Sequence, residues 1–266
     1  MQEIRKGIPF YGIIVRKTYF CVLTIMEKTD WFTSWFNSPY YHILYQHRND
    51  QDAQLFMQNI SRFLQLKKEA HILDLPCGKG RHARYLNSLG YKVTGGDLSE
   101  NSIAYAKQFE NDQLSFKVKD MREAFRLRYD AIFNLFTSFG YFENDTEEIQ
   151  VLKNMKQGLK EGGVLVLDFL NVMNVRDHLV SSEVKDIDGI TFHITREIKD
   201  GFILKHISFQ DKGQDYSFKE QVKYLDLQKF QEYFKAANLE IEHIFGDYEL
   251  SEYNEKNSER LILVAR

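Results

Sequence analysis

The run His71-Ile-Leu-Asp74-Leu-Pro-Cys-Gly78-Lys-Gly80-Arg81-His82-Ala83 decides how the rest of the chain is read. Apolar residues lead into an acid, a glycine-rich turn follows, and a helix-compatible segment begins. That order predicts a buried strand, a tight loop and a helix N-terminus, where exposed backbone N–H groups hold an anionic part of a ligand. A second run, Tyr91-Lys-Val-Thr-Gly-Gly-Asp97-Leu98-Ser99, falls where the next strand of a βαβ unit ends. Asp97 stands 17 positions after Gly80, close to the roughly 20-residue offset at which an acid reaches a ribose in dinucleotide folds. Together the two runs point to a nucleotide-like ligand.

The glycines alone do not choose the ligand, because Gly78-Lys-Gly80-Arg-His-Ala83 also satisfies the G-x-G-x-x-A form of the NAD fingerprint. Asp74 discriminates. A pyrophosphate in that loop lies near this acid, and two like charges in a partly buried site repel. S-adenosyl-L-methionine has the opposite character, carrying a cationic sulfonium and an ammonium group, and an acid at the end of the first strand suits it. At these residues the chain resembles the class I (Rossmann-like) S-adenosylmethionine-dependent methyltransferases, whose first motif reads apolar-apolar-Asp-x-Gly-Cys-Gly-x-Gly. Pro76 stands where that pattern has its first glycine. Proline fixes its own φ and donates no hydrogen bond, so backbone contacts at that position depart from the family's.

The resemblance extends to Leu114-Ser-Phe-Lys-Val-Lys-Asp120-Met121-Arg122, which looks like the third strand and the acid that faces the adenine amino group. It continues through Tyr129-Asp-Ala-Ile-Phe-Asn134-Leu-Phe-Thr-Ser138-Phe-Gly-Tyr141, like the fourth strand and the loop lining the transfer site, and through the fifth strand after Gly162-Gly163. In all it covers residues 50–178 and 226–266. It implies an α/β, doubly wound fold with a mainly parallel seven-stranded sheet and helices on both faces. It also implies a cofactor site built from Asp74, Cys77, Gly78, Gly80, Arg81, Asp97, Leu98, Asp120, Met121 and Asn134. In such a site Asp97 accepts hydrogen bonds from both ribose hydroxyls and Leu98 packs on the adenine. Replacing Asp97 by alanine is then expected to weaken the cofactor at least about tenfold, or ~1.4 kcal/mol. With Asp97 at the surface of a cleft, the fold is expected to tolerate the change within about 1 kcal/mol.

Composition sets the outer bounds. With 266 residues, 43% hydrophobic and 27% charged, the chain reads as one globular domain plus an insertion. A net charge of -3 gives no global attraction to a phosphate backbone, which argues against nucleic acid as the main partner. Cys21 and Cys77 show no pairing pattern, and Cys77 reads as a small residue packed in a tight turn, so a reducing cytoplasm fits. No apolar run approaches the ~18–20 residues of a membrane span. The apolar stretch Ile8 to Val15 is interrupted by Arg16 and Lys17 without a small-residue cleavage site, so no secretory signal is expected. Residues 1–25 read as an artefact of the start site or a loosely tied extension.

From residue 50 onward helical and strand patterns alternate. Ala53, Phe56, Ile60, Phe63 and Leu64 predict a helix over 50–67. Ser99 is a natural N-cap, and Asp145 with Glu148 resembles a capping box for a helix ending at Gly162-Gly163. Leu227 to Ala237 predicts a helix, and 240–245 and 260–265 two closing strands. Such alternation implies ligand binding beyond the strand C-termini, where Asp74, Asp97, Asp120 and Asn134 fall. Residues 179–225 break the rule. Ile190, Phe192 and Ile194 alternate with polar residues, Asp200-Gly201 signals a hairpin, and strands over 202–209 and 216–224 follow. A small three-stranded antiparallel insertion after the fifth strand is expected, either a cap over the transfer site or an oligomer contact.

Methyl transfer is an in-line displacement governed by proximity and orientation, so no elaborate acid-base set is required, and a base matters only for a protonated acceptor. His82 reads as a first-turn helix residue rather than a base, and the other histidines show no metal-ligand spacing; no metal is expected. Ser138 and Tyr141 are the candidate catalytic residues, positioning the acceptor with hydroxyls while aromatic faces favour the cationic donor; a loop simply packed on the sheet is the alternative. The aromatic segment Trp31 to Tyr45 resembles the helical lid of related enzymes, with Tyr41 or Arg48 reaching the donor, or else it is core. That leaves residues 1–49 as extension and lid. Three functions remain open. One is an enzyme methylating a small-molecule acceptor, an amine or a hydroxylated compound, as a monomer or homodimer. The second methylates RNA or protein, motivated by the basic runs 122–128 and 153–160. The third is a non-catalytic cofactor-binding domain.

Overall fold

The computed structural model describes residues 30–46 and 50–266; Arg48, Cys21 and the leader over 1–25 lie outside the described residues. Two short helices, α1 (Trp31–Phe36) and α2 (Pro39–Leu44), precede α3 (Asp50–Phe63). The alternation then runs β1 (His71–Asp74), α4 (Arg81–Ser88), β2 (Lys92–Asp97), α5 (Glu100–Ala106), β3 (Leu114–Val118), β4 (Tyr129–Asn134), α6 (Asp145–Gly158), β5 (Leu159–Leu170) and α7 (Val172–His178). Four strands follow, β6 (Ser182–Ile187), β7 (Ile190–Lys199), β8 (Phe202–Asp211) and β9 (Gln214–Lys223). The chain closes with α8 (Leu227–Ala236), β10 (Ile241–Phe245) and β11 (Arg260–Ala265).

Seven strands form one sheet in the order β10-β11-β5-β4-β1-β2-β3. All neighbours from β3 to β5 pair in parallel, and only β11 runs against β5 and β10. Its central strands β4 and β11 and the second half of β5 are mostly apolar because both faces are covered, whereas the edge strands β3 and β10 keep exposed polar residues. Alternate residues go to opposite sides: Leu73, Ile132, Leu165 and Leu167 pack with α6 and α8, whereas Ile72, Phe133, Val164 and Val166 pack with α3, α4 and α5. The doubly wound reading therefore holds. The strand order reverses between β1 and β4, and parallel sheets of this kind bind ligands in the crevice outside that switch point.

Three local expectations need correction. The helix expected over 50–67 stops at Phe63, and Gln65 is already left-handed (φ 49°). The capping box at Asp145 does not form. Asn144 is the N-cap residue, its side chain accepting from no helix N–H, and Glu148 turns instead toward the loop before the helix. That helix ends at Gly158, because Leu159 is already paired with Tyr129 across β4 and β5; Gly162 is left-handed (φ 69°), but within the strand.

The insertion has four strands rather than three. The extra one, β6, is the edge strand Ser-Glu-Val-Lys-Asp-Ile, largely exposed and therefore without an apolar alternation to betray it. Its charges suit an edge, since they discourage pairing with another chain. Each hairpin turns through two consecutive left-handed residues, Asp188-Gly189, Asp200-Gly201 and Lys212-Gly213, the geometry that matches strand twist in two-residue turns. The apolar face of this sheet, with Ile190, Phe192, Ile194, Ile207 and Phe209, packs against Trp35 and Leu44 of the first two helices. Helices of six residues are far below the ~12–15 needed for independent stability, so α1 and α2 exist by virtue of this packing. Trp35 is fully buried with its ring 4.5 Å from that of Phe218, and its Nε1–H donates to Glu220 at 2.7 Å.

Candidate active site

The glycine loop crosses the C-terminal end of the sheet, held by hydrogen bonds to its neighbours. Cys77 N–H donates to the Gly96 carbonyl at 2.8 Å, and Gly80 N–H to the Cys77 carbonyl at 2.9 Å. Gly80 has φ 79°, and a Cβ there would lie 2.5 Å from the Phe116 ring, so both backbone conformation and space demand glycine. A Cβ on Gly78 would meet nothing within 4 Å, because that residue faces open space in the cleft.

Asp97 shapes this loop from the end of β2. One carboxylate oxygen accepts Gly78 N–H at 2.8 Å and the other accepts Ser99 N–H at 2.8 Å. It is only 8% exposed, so the picture of an acid on the surface of a cleft is too simple. Burial raises its pKa, against the pull of those two N–H groups. Asp74 lies deeper, 1% exposed, accepting Ala83 N–H while its Oδ2 has no partner. Burial, with the nearby Asp97 charge adding to it, pushes Asp74 up to about 8.

Around these acids opens a cleft of about 690 Å³, a size common for small-molecule sites. Of the residues expected to make the site, Tyr41, Cys77, Gly78, Arg81, Asp97, Leu98, Asp120, Met121, Ser138 and Tyr141 line it. Asp74, Gly80 and Asn134 sit behind its wall. Asn134 is fully buried and donates to the carbonyls of Leu75 (2.9 Å) and Ser138 (3.1 Å), tying the loops after β1 and β4 together. Asp120 is gripped by Arg122, whose Nη2 is 2.7 Å and Nε 3.0 Å from its Oδ2. Burial opposes its ionisation, but the guanidinium outweighs burial and holds the carboxyl below its usual range. Arg122 also pairs with Asp30 at 3.1 Å, anchoring the start of α1.

The loop from Leu135 to Phe142 forms the opposite wall. His82, in the first turn of α4, stacks on Phe136 with centroids 4.4 Å apart. The Tyr141 hydroxyl donates to the Thr137 carbonyl at 2.8 Å. Glu148 is fully buried and accepts Phe142 N–H at 3.0 Å and Gly140 N–H at 3.4 Å. Burial pushes its carboxyl up to about 7. Nothing in the local sequence marks Glu148 for this role; its spacing from Asp145 suggested a helix cap instead. Overhead, Phe32, Phe36 and Tyr41 close the cleft, with Phe36 and Tyr41 rings 5.0 Å apart and Phe36 and Tyr141 rings 5.6 Å apart. The aromatic segment thus serves both readings: Trp35 is core, and its neighbours face the cleft. Asn37 at the helix junction accepts from the Ser99 hydroxyl at 2.9 Å.

The residues fit S-adenosyl-L-methionine. Asp74 offers an unpartnered buried oxygen, Gly78 leaves room for a ligand against the backbone, and acids with aromatic faces surround the space. Among the described residues no group of three or more His, Cys, Asp or Glu is placed to hold a metal ion, and no helix is long and apolar enough to cross a membrane.

Known proteins resemble this chain. Residues 72–163 match the family model described as a methyltransferase domain. The chain is 26% identical over 212 residues to the putative methyltransferase YqeM of Bacillus subtilis, covering 76% of this chain and 85% of that one. It is 40% identical over 96 residues to the probable S-adenosyl-L-methionine-dependent methyltransferase TehB of Haemophilus influenzae, covering 35% of this chain and a 33% share of that protein's length. The sugar N-methyltransferase KedS8 from Streptoalloteichus superposes with a TM-score of 0.66 over 99% of this chain and 98% of its own, at 17% identity. Residues 72–163 thus form a methyltransferase domain, and over most of its length the chain is similar to S-adenosylmethionine-dependent methyltransferases, whose cofactor, S-adenosyl-L-methionine, the cleft residues fit.

Proposed function

We propose that this methyltransferase acts on a small-molecule acceptor, and specifically on an amine nitrogen. The observation that carries the reading is the roof: α1 and α2, seated on the insertion sheet, cover a cleft of about 690 Å³ walled by aromatic rings. Such a chamber suits a compact acceptor better than a polymer. Residues 179–225 then serve as a substrate cap and residues 30–46 as a lid. The sugar N-methyltransferase among the similar structures supports nitrogen over oxygen. A cytoplasmic setting fits the buried free thiol of Cys77.

In this reading Asp97 and Leu98 hold the ribose and adenine, with Asp120 and Met121 at the adenine edge. Arg81 holds the carboxylate, and Asp74, once ionised, supplies negative charge beneath the loop. Arg48 is a proposed contact at the lid. Bound there, the cofactor supplies an activated methyl group on a cationic sulfur. The chain's own work is orientation: Ser138 meets the acceptor, Tyr141 and Phe36 press it toward the donor, and the roof excludes water. The Ser138 hydroxyl has no hydrogen-bond partner among the described residues and is available for this role.

The RNA alternative is weakened. Within its two basic runs Arg122 is committed to Asp120 and Asp30 and Lys160 to Asp130, so part of that charge is spent within the fold. The test is a mass-spectrometric screen of cell extract incubated with the protein and methyl-labelled cofactor. Label in a small amine supports the proposal; label found only in RNA or protein refutes it.

A further inference from the structure

We propose that the buried Asp168–Arg260 pair is a positioning device for methyl transfer, holding the cleft wall made by Phe136 and the carbonyl from which Tyr141 hangs. The inference rests on reading this cleft as the transfer site. Phe136 (φ 59°) and Thr137 (φ 62°) are consecutive non-glycine residues in left-handed conformation, with Thr137 β-branched. Backbone of that kind is strained and persists only where surrounding contacts over-determine it. Those contacts come from strands distant in sequence. Asp168 on β5 is fully buried; its Oδ2 accepts Phe136 N–H at 2.7 Å, and its carbonyl accepts Thr137 N–H at 3.0 Å. Arg260, at the start of β11, donates from Nε to Asp168 Oδ1 at 2.8 Å and from Nη2 to the Thr137 hydroxyl at 3.0 Å. A planar fork is needed to reach carboxylate and hydroxyl together, which lysine does not offer.

The pair therefore sets both ends of the loop's strained step. On one side Phe136 is turned to stack on His82, and Tyr248 packs edge-on to the same ring at 5.6 Å while its hydroxyl donates to Asp168 at 3.4 Å. On the other side the Thr137 carbonyl receives Tyr141. A buried ion pair is weak evidence for stability and better suited to specifying one arrangement. Here the arrangement specified is the wall facing the acceptor, while Asp97, Leu98 and Asp120 hold the adenosyl end from other loops. Neither Asp168 nor Arg260 lines the cleft, so both act through Phe136, Thr137 and Tyr141.

The test uses the full chain with Arg260→Lys, Asp168→Asn and, as a milder change that leaves the ion pair intact, Thr137→Val. Amide hydrogen exchange followed by mass spectrometry reads the loop without any acceptor. In Arg260→Lys the Phe136 and Thr137 amides are expected to exchange at least about tenfold faster, while those of 72–74 keep their protection. With an acceptor in hand, kcat is expected to fall at least about tenfold while KM for S-adenosyl-L-methionine stays within about twofold; Thr137→Val should follow the same pattern at about threefold. A folded Arg260→Lys whose loop amides exchange at the parental rate overturns the proposal, as does a parallel loss of kcat and cofactor affinity. If Arg260→Lys fails to fold, the exchange and kcat of Thr137→Val decide. Failure to find an amine acceptor sinks the reading of the substrate and leaves the exchange result to judge the clamp.

Discussion

Two loops wall the same cleft and are held in opposite ways. The loop from Pro76 to Gly80 is fixed by residues of the next two strands, β2 and β3: Asp97 takes Gly78 N–H, the Gly96 carbonyl takes Cys77 N–H, and Phe116 fills the space a Cβ on Gly80 would need. The loop from Leu135 to Phe142 is fixed by side chains from three other elements, Glu148 on α6, Asp168 on β5 and Arg260 on β11. The first loop is backbone meeting backbone and one acid. The second is a strained backbone stapled by buried charges. In the proposed reading the contrast separates a loop that would bind the common cofactor from one that would shape a particular acceptor's wall, and it predicts that the two loops fail differently when their supports are removed.

The largest effect is expected at Glu148. Glu148→Ala leaves the buried N–H groups of Gly140 and Phe142 without an acceptor, each at about 1–3 kcal/mol, so a loss on the order of 3 kcal/mol is expected. In a chain of this size that lowers Tm by roughly 5–10 °C. Cofactor affinity, measured by calorimetry with S-adenosylhomocysteine, should stay within about threefold, because the glycine loop keeps all its supports. A variant that melts within 2 °C or so of the parent would show that the second loop does not depend on this staple.

Asp97→Ala attacks the first loop and should do two things at once. Cofactor binding is expected to weaken at least about tenfold. Stability is expected to drop by about 1–3 kcal/mol, more than a surface acid would cost, since Gly78 and Ser99 both lose their acceptor. Melting curves recorded beside the titrations separate the two. Full affinity in a folded variant would place the ribose elsewhere.

A pH series divides the loops further. Asp74 at about 8 and Glu148 at about 7 both lie above the usual carboxylate range, so the native state holds more protons than the unfolded chain between roughly pH 4 and pH 8. Stability without ligand should therefore fall as pH rises through that window. Affinity for the cationic cofactor should move the other way, rising up to about tenfold from pH 6 to pH 8 as Asp74 ionises. Proton release on binding, read by calorimetry in buffers of different ionisation heat, is the direct check. A pH-independent affinity would mean that Asp74 does not sense the ligand.

Much of this contrast could be read before any coordinates, and the division follows the physics. Asp74, Gly78, Gly80 and Asp97 were legible because strand, turn and helix are contiguous and each needs particular residue types within a short window. The switch from helical alternation to hairpins over 179–225 was legible because Asp200-Gly201 and the period-two pattern are local. Edge strand β6 was not, since an exposed strand carries polar residues on both faces. Glu148, Asp168 and Arg260 were invisible for another reason. Glu148 and Arg260 lie in segments that already had bland explanations, a cap and a closing strand. Asp168 lies in an apolar strand, where only the tertiary fold reveals what a buried acid would hold.

The smallest effects concern the hydroxyls that face the cleft. Tyr141 spends its O–H on the Thr137 carbonyl, whereas Ser138 holds its hydroxyl free within the described residues and borders the same space. Tyr141→Phe should thus lose about 1 kcal/mol of stability with the lost hydrogen bond, and a similar factor in turnover through the looser loop. Ser138→Ala removes no internal bond, so Tm should stay within about 2 °C of the parent. Its cost should appear only with acceptor present, as a five- to tenfold loss in kcat/KM or roughly 1 kcal/mol, with cofactor affinity unchanged. Initial rates against acceptor concentration for the two variants settle the assignment. If Tyr141→Phe proves the more damaging in catalysis while melting normally, the tyrosine touches the acceptor, and the second loop is a catalytic element in its own right rather than a wall.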